Sequence, residues 1–413
     1  MVSKLRLAAY FVYQVFACFL HYFLELYSAR ERRKSEENGE ESSCELLRIL
    51  YRQNILPTDL TRPKVNFIFV HKQFVSADLL RAPNWSVYGM TKEHVYFTKL
   101  PTHIEEYNAS KAPFIYMTQM DNATQLARMT LEEFCKFGDM IGKPSGPVVY
   151  FSNTARSGST LLCQILQTAP NCVVLGEPDM FTLIPIFYNE GKISQTQYHN
   201  LIVASFNVLC KNQRPDQTYV LKTQSNGTRI LPDVIRLLPN VRQFFSWRRN
   251  GSKCINSVAR TQISASASDI YMPIWNVCPA FAKWFLGFAR MEGDIMLKLK
   301  SPDCIDNAYV IYATPYSVYY KAKEMAEIVY IEFEDLLADR EKEIARIFRE
   351  LGIKMESLEA AVQSMERDSQ EGTPLSQKIL KQVQTEETGS EERRQRYKQI
   401  DKVLGLEGVD FWE

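Results

Sequence analysis

The chain has 413 residues, 46% of them hydrophobic and 23% charged, enough apolar mass to bury one large core and a smaller one, and too much for a disordered chain. Its 49 basic and 48 acidic residues leave a formal charge of +1, which excludes the broad cationic footprint that holds nucleic acid and requires any anion site to be local. Nine cysteines, an odd number with no CxxC pair and no metal-ligand spacing, exclude a disulfide scaffold and a zinc site, with room left for one or two disulfides.

From Leu7 to Leu24 the chain reads LAAYFVYQVFACFLHYFL, with Gln14 and His21 its clearly polar interruptions. Unbroken by Pro or Gly and flanked by charge, the run is just long enough to cross a bilayer and predicts a single-pass signal anchor, with a packed amphipathic helix as the alternative. An anchor implies a Golgi membrane; a packed helix leaves a cytoplasmic protein. Lys4 and Arg6 precede the run and Arg30, Arg32, Arg33 and Lys34 follow it, so the positive-inside rule selects no orientation. Acceptor triplets for glycosylation at Asn84, Asn108 and Asn122 arise by chance too often to settle the side.

The charged stretch from Ala29 to Glu41 reads as a linker. Short β-branched and aromatic runs from Val65, Trp85, His94 and Phe114 then predict a small, mostly antiparallel sheet, and Thr130 with Glu133 predicts a capping box that opens a helix. Gly142 to Gly146 punctuates the chain. Beyond it, the apolar runs PVVYF, CVVLG, YVLKT, VRQFFSW and VYIEF alternate with helical segments, the pattern of a doubly wound parallel sheet. The expected organisation is a hydrophobic segment and linker over 1–43, a small α+β unit over 44–145, a P-loop domain of α/β class with a doubly wound parallel sheet flanked by helices over 146–365, and a tail over 366–413.

In an open α/β sheet, ligands gather at the carboxyl ends of the strands. PVVYF ends in Ser152-Asn153-Thr154-Ala155-Arg156-Ser157-Gly158-Ser159-Thr160 before a helix. A Gly at a helix start lets backbone amides approach an anion, and the Ser159 and Thr160 hydroxyls add donors, so the loop predicts a phosphate cradle. It is a poor Walker motif, since Asn153 stands at the first Gly position and Ser159 at the Lys position. VRQFFSW ends in Arg248 and Arg249 where a Walker partner strand ends in an Asp for Mg²⁺. CVVLG ends in Glu177, and YVLKT ends in Lys222-Thr223. Arg156, Glu177, Lys222 and Arg249 thus sit at four successive strand ends, cations where a kinase-like site needs an anion.

The loop TARSGSTLL followed by GEPDMF resembles the sulfotransferase superfamily that uses 3′-phosphoadenosine 5′-phosphosulfate (PAPS), with motifs nearest the tyrosylprotein and trehalose-type enzymes. In the tyrosylprotein enzymes the catalytic Glu follows the loop Arg at the interval of 21 residues that separates Glu177 from Arg156. LPNVRQFFSWRRNGSKCINSVAR is similar to the family's 3′-phosphate motif, matched by Arg249 and Ser257, and Lys222 matches its strand-end catalytic Lys. The resemblance covers roughly Val148 to Ile353 and leaves the N-terminal unit unaddressed. It implies PAPS as co-substrate, held by Ala155, Arg156, Ser157, Gly158, Ser159, Thr160, Arg249 and Ser257, and catalysis without metal by Glu177, Lys222 and Arg156. The chain departs from the cytosolic enzymes at Lys222-Thr223-Gln224, where they carry a Lys-Thr-His, so the base role passes to Glu177. Their GxxGxxK lid is missing as well, which leaves Asp368-Ser369-Gln370 or Ser376 with Lys378 to close over the co-substrate. The partner is an acceptor hydroxyl or amine on a carbohydrate, a tyrosine or a small molecule. A nucleotide-dependent kinase or hydrolase and a catalytically silent homologue are the competing readings on the same fold.

Overall fold

The computed structural model describes residues 4–37, 43–56, 60–109, 111–266, 268–366 and 388–409. Helix α1 (Lys4–Glu37) comes first, followed by β1 (Cys44–Arg52), β2 (Phe67–Val75), β3 (Trp85–Met90), β4 (His94–Lys99) and β5 (Gln125–Thr130). These strands form an antiparallel sheet in the order β2-β1-β5-β4-β3. The expected strand at Val65 begins two residues late, because Pro63 opens a helical turn through Asn66. The expected strand at Phe114 is instead helix α2 (Ile115–Asn122): Ile115, Tyr116, Gln119 and Met120 are its buried residues, a spacing that only a helix brings to one side. Helix α3 (Leu131–Ile141) starts where the capping signal puts it, with the Thr130 hydroxyl accepting from the Glu133 N–H, and it stops at Gly142 at φ 81°.

The second sheet is parallel and built from β6 (Val148–Asn153), β7 (Cys172–Gly176), β8 (Thr218–Lys222), β9 (Arg242–Trp247) and β10 (Val329–Glu332), in the order β10-β9-β6-β8-β7. The five apolar runs after Gly146 therefore all form strands, and the chain is α/β with a small N-terminal α+β part. Alternate residues of the strands face opposite ways. Val149, Phe151, Val220 and Phe244 join a core with Ile165 of α4 (Ser159–Gln167) and with Ile344 and Phe348 of the helix Arg340–Leu351. Tyr150, Leu175 and Phe245 join the other core, with Phe181 of α5 (Met180–Asn189), Phe206 of α6 (Gln195–Leu209) and Tyr309 of the helix Cys304–Ala322. That second core continues without a break to Leu46, Val87 and Phe97 of the antiparallel sheet.

Helix α1 is the one helix among the described residues long and apolar enough to cross a membrane. It lies along β2, where the His21 Nε2–H donates to the Phe67 carbonyl at 2.9 Å and the Ser28 hydroxyl accepts from the His71 N–H at 3.0 Å. All nine cysteines are free thiols, so the sequence's room for one or two disulfides is not used. Burial pushes the thiols of Cys163 and Cys254 up to about 12, which makes them core residues and not nucleophiles.

Candidate active site

The strand β6 lies between β8 and β9. The connection after β6 runs toward β7 and the one after β9 toward β10, so the switch point, where sheets of this kind form a ligand crevice, lies between the carboxyl ends of β6 and β9. Register fixes what faces that crevice: Phe151 pairs with Lys222, Asn153 with Ser246, and Gly176 with Lys222. The loop after β6 is held from several sides. The Asn153 amide donates to the Thr223 carbonyl at 2.8 Å, the Thr154 N–H to the Ser246 carbonyl at 3.0 Å, and the Cys254 thiol to the Ala155 carbonyl at 2.9 Å. The hydroxyls of Ser157 and Ser246 lie 2.9 Å apart.

Two residues of this loop take left-handed backbone, Arg156 at φ 62° and Gly158 at φ 79°. At Gly158 a Cβ would come within 2.3 Å of the Phe333 ring, so a side chain is excluded by space as well as by conformation. Gly158 is also the N-cap of α4 and offers no side chain to the first helical amides. Those donors and the positive end of the helix dipole lie at the carboxyl end of β6, beside the buried Ser159 and Thr160. The arrangement is suited to an anion.

Opposite the loop, Lys222 and Glu177 form a buried pair in which the Lys222 ammonium donates to Glu177 Oε1. Glu177 also sits at positive φ, 58°, and its N–H donates to the Lys222 carbonyl at 2.6 Å, so backbone and side chain are both fixed against β8. Burial pushes the Glu177 carboxyl above its usual range, while the Lys222 charge pulls the other way. A carboxylate displaced upward in this way is a competent proton acceptor.

The remaining predicted residues divide. Ser257, on α7 (Gly251–Thr261), accepts from Arg156 Nε at 2.8 Å, so the structure joins it to the loop. Arg249 does not point to Ser257. Its half-exposed guanidinium pairs with Glu332 at the end of β10, with Asp335 3.9 Å away. Next to it, the Glu334 carboxylate accepts from the N–H groups of Arg249 and Asn250 at 3.0 and 3.2 Å. Asp368, Ser369, Gln370, Ser376 and Lys378, the expected closing residues, lie outside the described residues. His199, on α6, lies 3.6 Å from Asp233.

Sequence reasoning missed the part that the N-terminal unit plays here. Asp179 accepts from both the N–H and the hydroxyl of Thr61 at 2.6 Å, and from the Gln224 amide at 3.4 Å, which ties the segment after Glu177 to the N-terminal unit. Gly176 lies against the Pro113 carbonyl, which a Cβ would approach to 2.4 Å. Apart from these residues, buried Glu292 binds Asn226 at 2.9 Å and Arg229 at 2.7 Å. Asn226 and Glu292 line a cavity of about 610 Å³ together with Arg62, Lys283, Trp284 and Arg290. The GEPD tetrapeptide was the available signal for Asp179; nothing local announced Glu292. Among the described residues no group of three or more His, Cys, Asp or Glu side chains is placed to hold a metal ion.

No protein-family model and no curated protein sequence matches the chain. Solved structures similar to it are sulfotransferases. Sulfotransferase STF9 from Mycobacterium avium is 10% identical with a TM-score of 0.39, over 68% of this chain and 81% of that one. The sulfotransferase domain from the curacin biosynthetic pathway is 14% identical with a TM-score of 0.37, over 64% and 99%. A sulfotransferase from Alicyclobacillus acidocaldarius is 14% identical with a TM-score of 0.32, over 64% and 96%. At this level of likeness the reading of function rests on the chain's own site.

Proposed function

We propose that the chain is a sulfotransferase that moves a sulfuryl group from PAPS to an acceptor hydroxyl or amine. The observation that carries the reading is the buried Lys222–Glu177 pair at the ends of β8 and β7, with β8 next to β6, whose loop leads into a helix N-terminus that no side chain caps. The α4 amides, Arg156 and the Ser159 and Thr160 hydroxyls suit the 5′-phosphosulfate, and Arg249 and Ser257 are assigned to the 3′-phosphate end.

The chemistry supplied by the donor is an in-line displacement in which the acceptor oxygen or nitrogen bonds to sulfur as the sulfur–phosphate-oxygen bond breaks. Glu177 takes the acceptor proton. Lys222 keeps Glu177 ionised before the reaction and donates toward the oxygen that gains charge as the bond to sulfur opens. Arg156 and the loop amides stabilise the same charge without reorganising. Carbohydrate, tyrosine and small molecules are all retained as acceptors, since the cavity beside Asn226 and Glu292 is lined by neither Glu177 nor Lys222.

Attachment to a Golgi membrane through α1 belongs to the same proposal, with a cytoplasmic location as the alternative; glycosidase sensitivity at Asn84 or Asn108 separates them. The test of activity is transfer of labelled sulfate from PAPS across glycan, peptide and phenolic acceptors, with and without Mg²⁺. Transfer to one class is expected. Failure with all of them, joined to Mg²⁺-dependent turnover of a nucleoside triphosphate, would overturn the reading in favour of a kinase or hydrolase.

A further inference from the structure

The side of α1 that packs on the body is part polar: beside buried Leu7, Tyr10 and Ala17 it carries a row of polar residues. Gln14, His21, Ser28 and Ser35 recur every seven residues and are all buried against the body of the protein, the seam on which a soluble helix carries its apolar side chains. Three of the four are bonded there: His21 to the Phe67 carbonyl, Ser28 to the His71 N–H, and the Ser35 hydroxyl 3.3 Å from His71 Nε2. Outward go Val12, Phe16, Phe19, Tyr22, Phe23 and Leu26, each more than half exposed. No charged residue occurs between Arg6 and Glu25. The apolar face widens onto the neighbouring helix Pro279–Phe285, where exposed Phe281 and Trp284 meet the ring of Phe11 at 6.1 and 6.0 Å.

The body accompanies the helix over its whole length. Near one end Arg6 donates to the Ile55 carbonyl at 2.9 Å, and near the other Arg32 pairs with buried Glu45 at 2.8 Å, itself held by Arg128 at 2.7 Å. Thirty-four residues of helix span about 51 Å at 1.5 Å per residue, well beyond a hydrocarbon core of about 30 Å. Crossing a bilayer would draw β1, β2 and this charge network in with it, or would break the seam and expose its polar groups to lipid. Exposed cations stand at both ends, Lys4 and Arg6 at one and Arg30, Arg33 and Lys34 at the other. This symmetry suits a helix whose two ends meet the same layer of anionic headgroups, and it lacks the one-sided bias of a crossing helix.

We propose that α1 is an in-plane membrane anchor: it stays docked on the antiparallel sheet and buries its aromatic outer face in one leaflet of an anionic membrane.

The test uses the full chain, purified in detergent and mixed with preformed sealed vesicles of phosphatidylcholine with or without phosphatidylserine. Flotation with vesicles is expected, stronger with phosphatidylserine and weakened by salt. Phe16→Ser/Phe19→Ser/Phe23→Ser should lower the floating fraction about tenfold or more with an unchanged thermal melt, because these side chains support no core. For topology, Leu5→Cys and Arg33→Cys are labelled with a membrane-impermeant maleimide, and only the label gained over the parent chain is read. In-plane attachment makes both ends reactive from outside. Protection of one end would overturn the proposal in favour of a crossing helix. A chain that does not float, or a triple variant that floats like the parent, would also overturn it, and light scattering that then shows a dimer would assign the apolar face to a second copy.

Discussion

Arg156 donates from Nε to the hydroxyl of Ser257 at 2.8 Å, across 101 residues of sequence. The bond ties the phosphate loop to α7, so the two segments assigned to opposite ends of the nucleotide are one unit before any ligand arrives. Ser257→Ala removes a charge-assisted bond, and with it the restraint on the guanidinium. The expected result is a rise in donor KM and a fall in turnover of about tenfold each, at roughly 1.5 to 3 kcal/mol for a bond to a charged group. Arg156→Ala should lose about 10² to 10³ in turnover, because its charge acts on the departing group itself. Steady-state kinetics on both variants separates the two roles.

Glu177→Gln keeps the shape of the acceptor side of the crevice and removes its base. Turnover should fall by about 10² or more while donor binding is retained. In the parent chain the rate must fall on the acid side as Glu177 takes up a proton, and because burial raises its affinity for that proton, this limb lies above the ordinary carboxylate value of 4.5. The limb should be missing from the residual activity of Glu177→Gln. A pH–rate profile for the two chains checks both statements.

Lys222→Ala has two consequences that must be told apart. It removes charge from the reacting centre, at a cost of about 10² to 10³ in turnover. It also leaves the Glu177 carboxylate buried without its partner, which costs about 3 to 5 kcal/mol of stability. The double variant Glu177→Gln/Lys222→Met should recover most of the melting temperature and none of the activity. Lys222→Arg should rescue poorly, since a planar fork does not replace a compact ammonium in a packed pair.

A separate stability test concerns the C-terminal helix Glu391–Leu404, in which Asp401 accepts from the Tyr309 hydroxyl at 2.6 Å. Burial raises the Asp401 carboxyl from 3.8 to about 6. The folded chain therefore keeps a proton that the unfolded chain gives up first. That contribution is present in full below pH 3.8 and is lost as pH rises through about 6. Asp401→Asn, which still accepts from Tyr309, should melt higher than the parent at pH 7.5. The gain should shrink to nothing near pH 3.5, which thermal melts at the two pH values will show.

The parallel strands were legible because a strand buried on both faces is an uninterrupted apolar run. β1 and β5 were not, because CELLRILYR and QLARMT carry charges that local reading assigns to solvent. Glu45 and Arg128 are register partners across that strand pair and neutralise each other inside it. Glu177 and Lys222 could be found because each closes its own strand. The partner of Arg249 could not, since Glu332 meets it only where β10 pairs with β9 and places Glu332 beside Trp247. Likewise, the two faces of α1 look alike in a run that is apolar almost throughout, and only the position of β2 tells which side is in.

The pairing of Arg249 with Glu332 sets up the last prediction, which tests the nucleotide without knowledge of the acceptor. In the free chain the Arg249 charge is met by Glu332, and the Glu334 carboxylate takes the N–H groups of Arg249 and Asn250 at the start of α7. Two carboxylates thus stand where an anionic ligand would place its oxygens. If Arg249 serves the 3′-phosphate, that phosphate must draw the guanidinium from Glu332. A dianion offers more charge than a carboxylate, and the guanidinium is half exposed. Adenosine 3′,5′-bisphosphate should therefore bind about 10²-fold or more tightly than adenosine 5′-phosphate, a difference of roughly 2.8 kcal/mol, without added Mg²⁺. Arg249→Ala should erase most of that preference and leave the monophosphate affinity nearly unchanged. Glu332→Gln removes the competitor, so it should raise affinity for the bisphosphate several-fold and barely alter the monophosphate. Isothermal calorimetry on the three chains reads all of these values. Equal affinities for the two nucleotides in the parent chain would remove Arg249 from the site, and tighter Mg²⁺-dependent binding of a triphosphate would replace the sulfotransferase reading with a phosphoryl-transfer one.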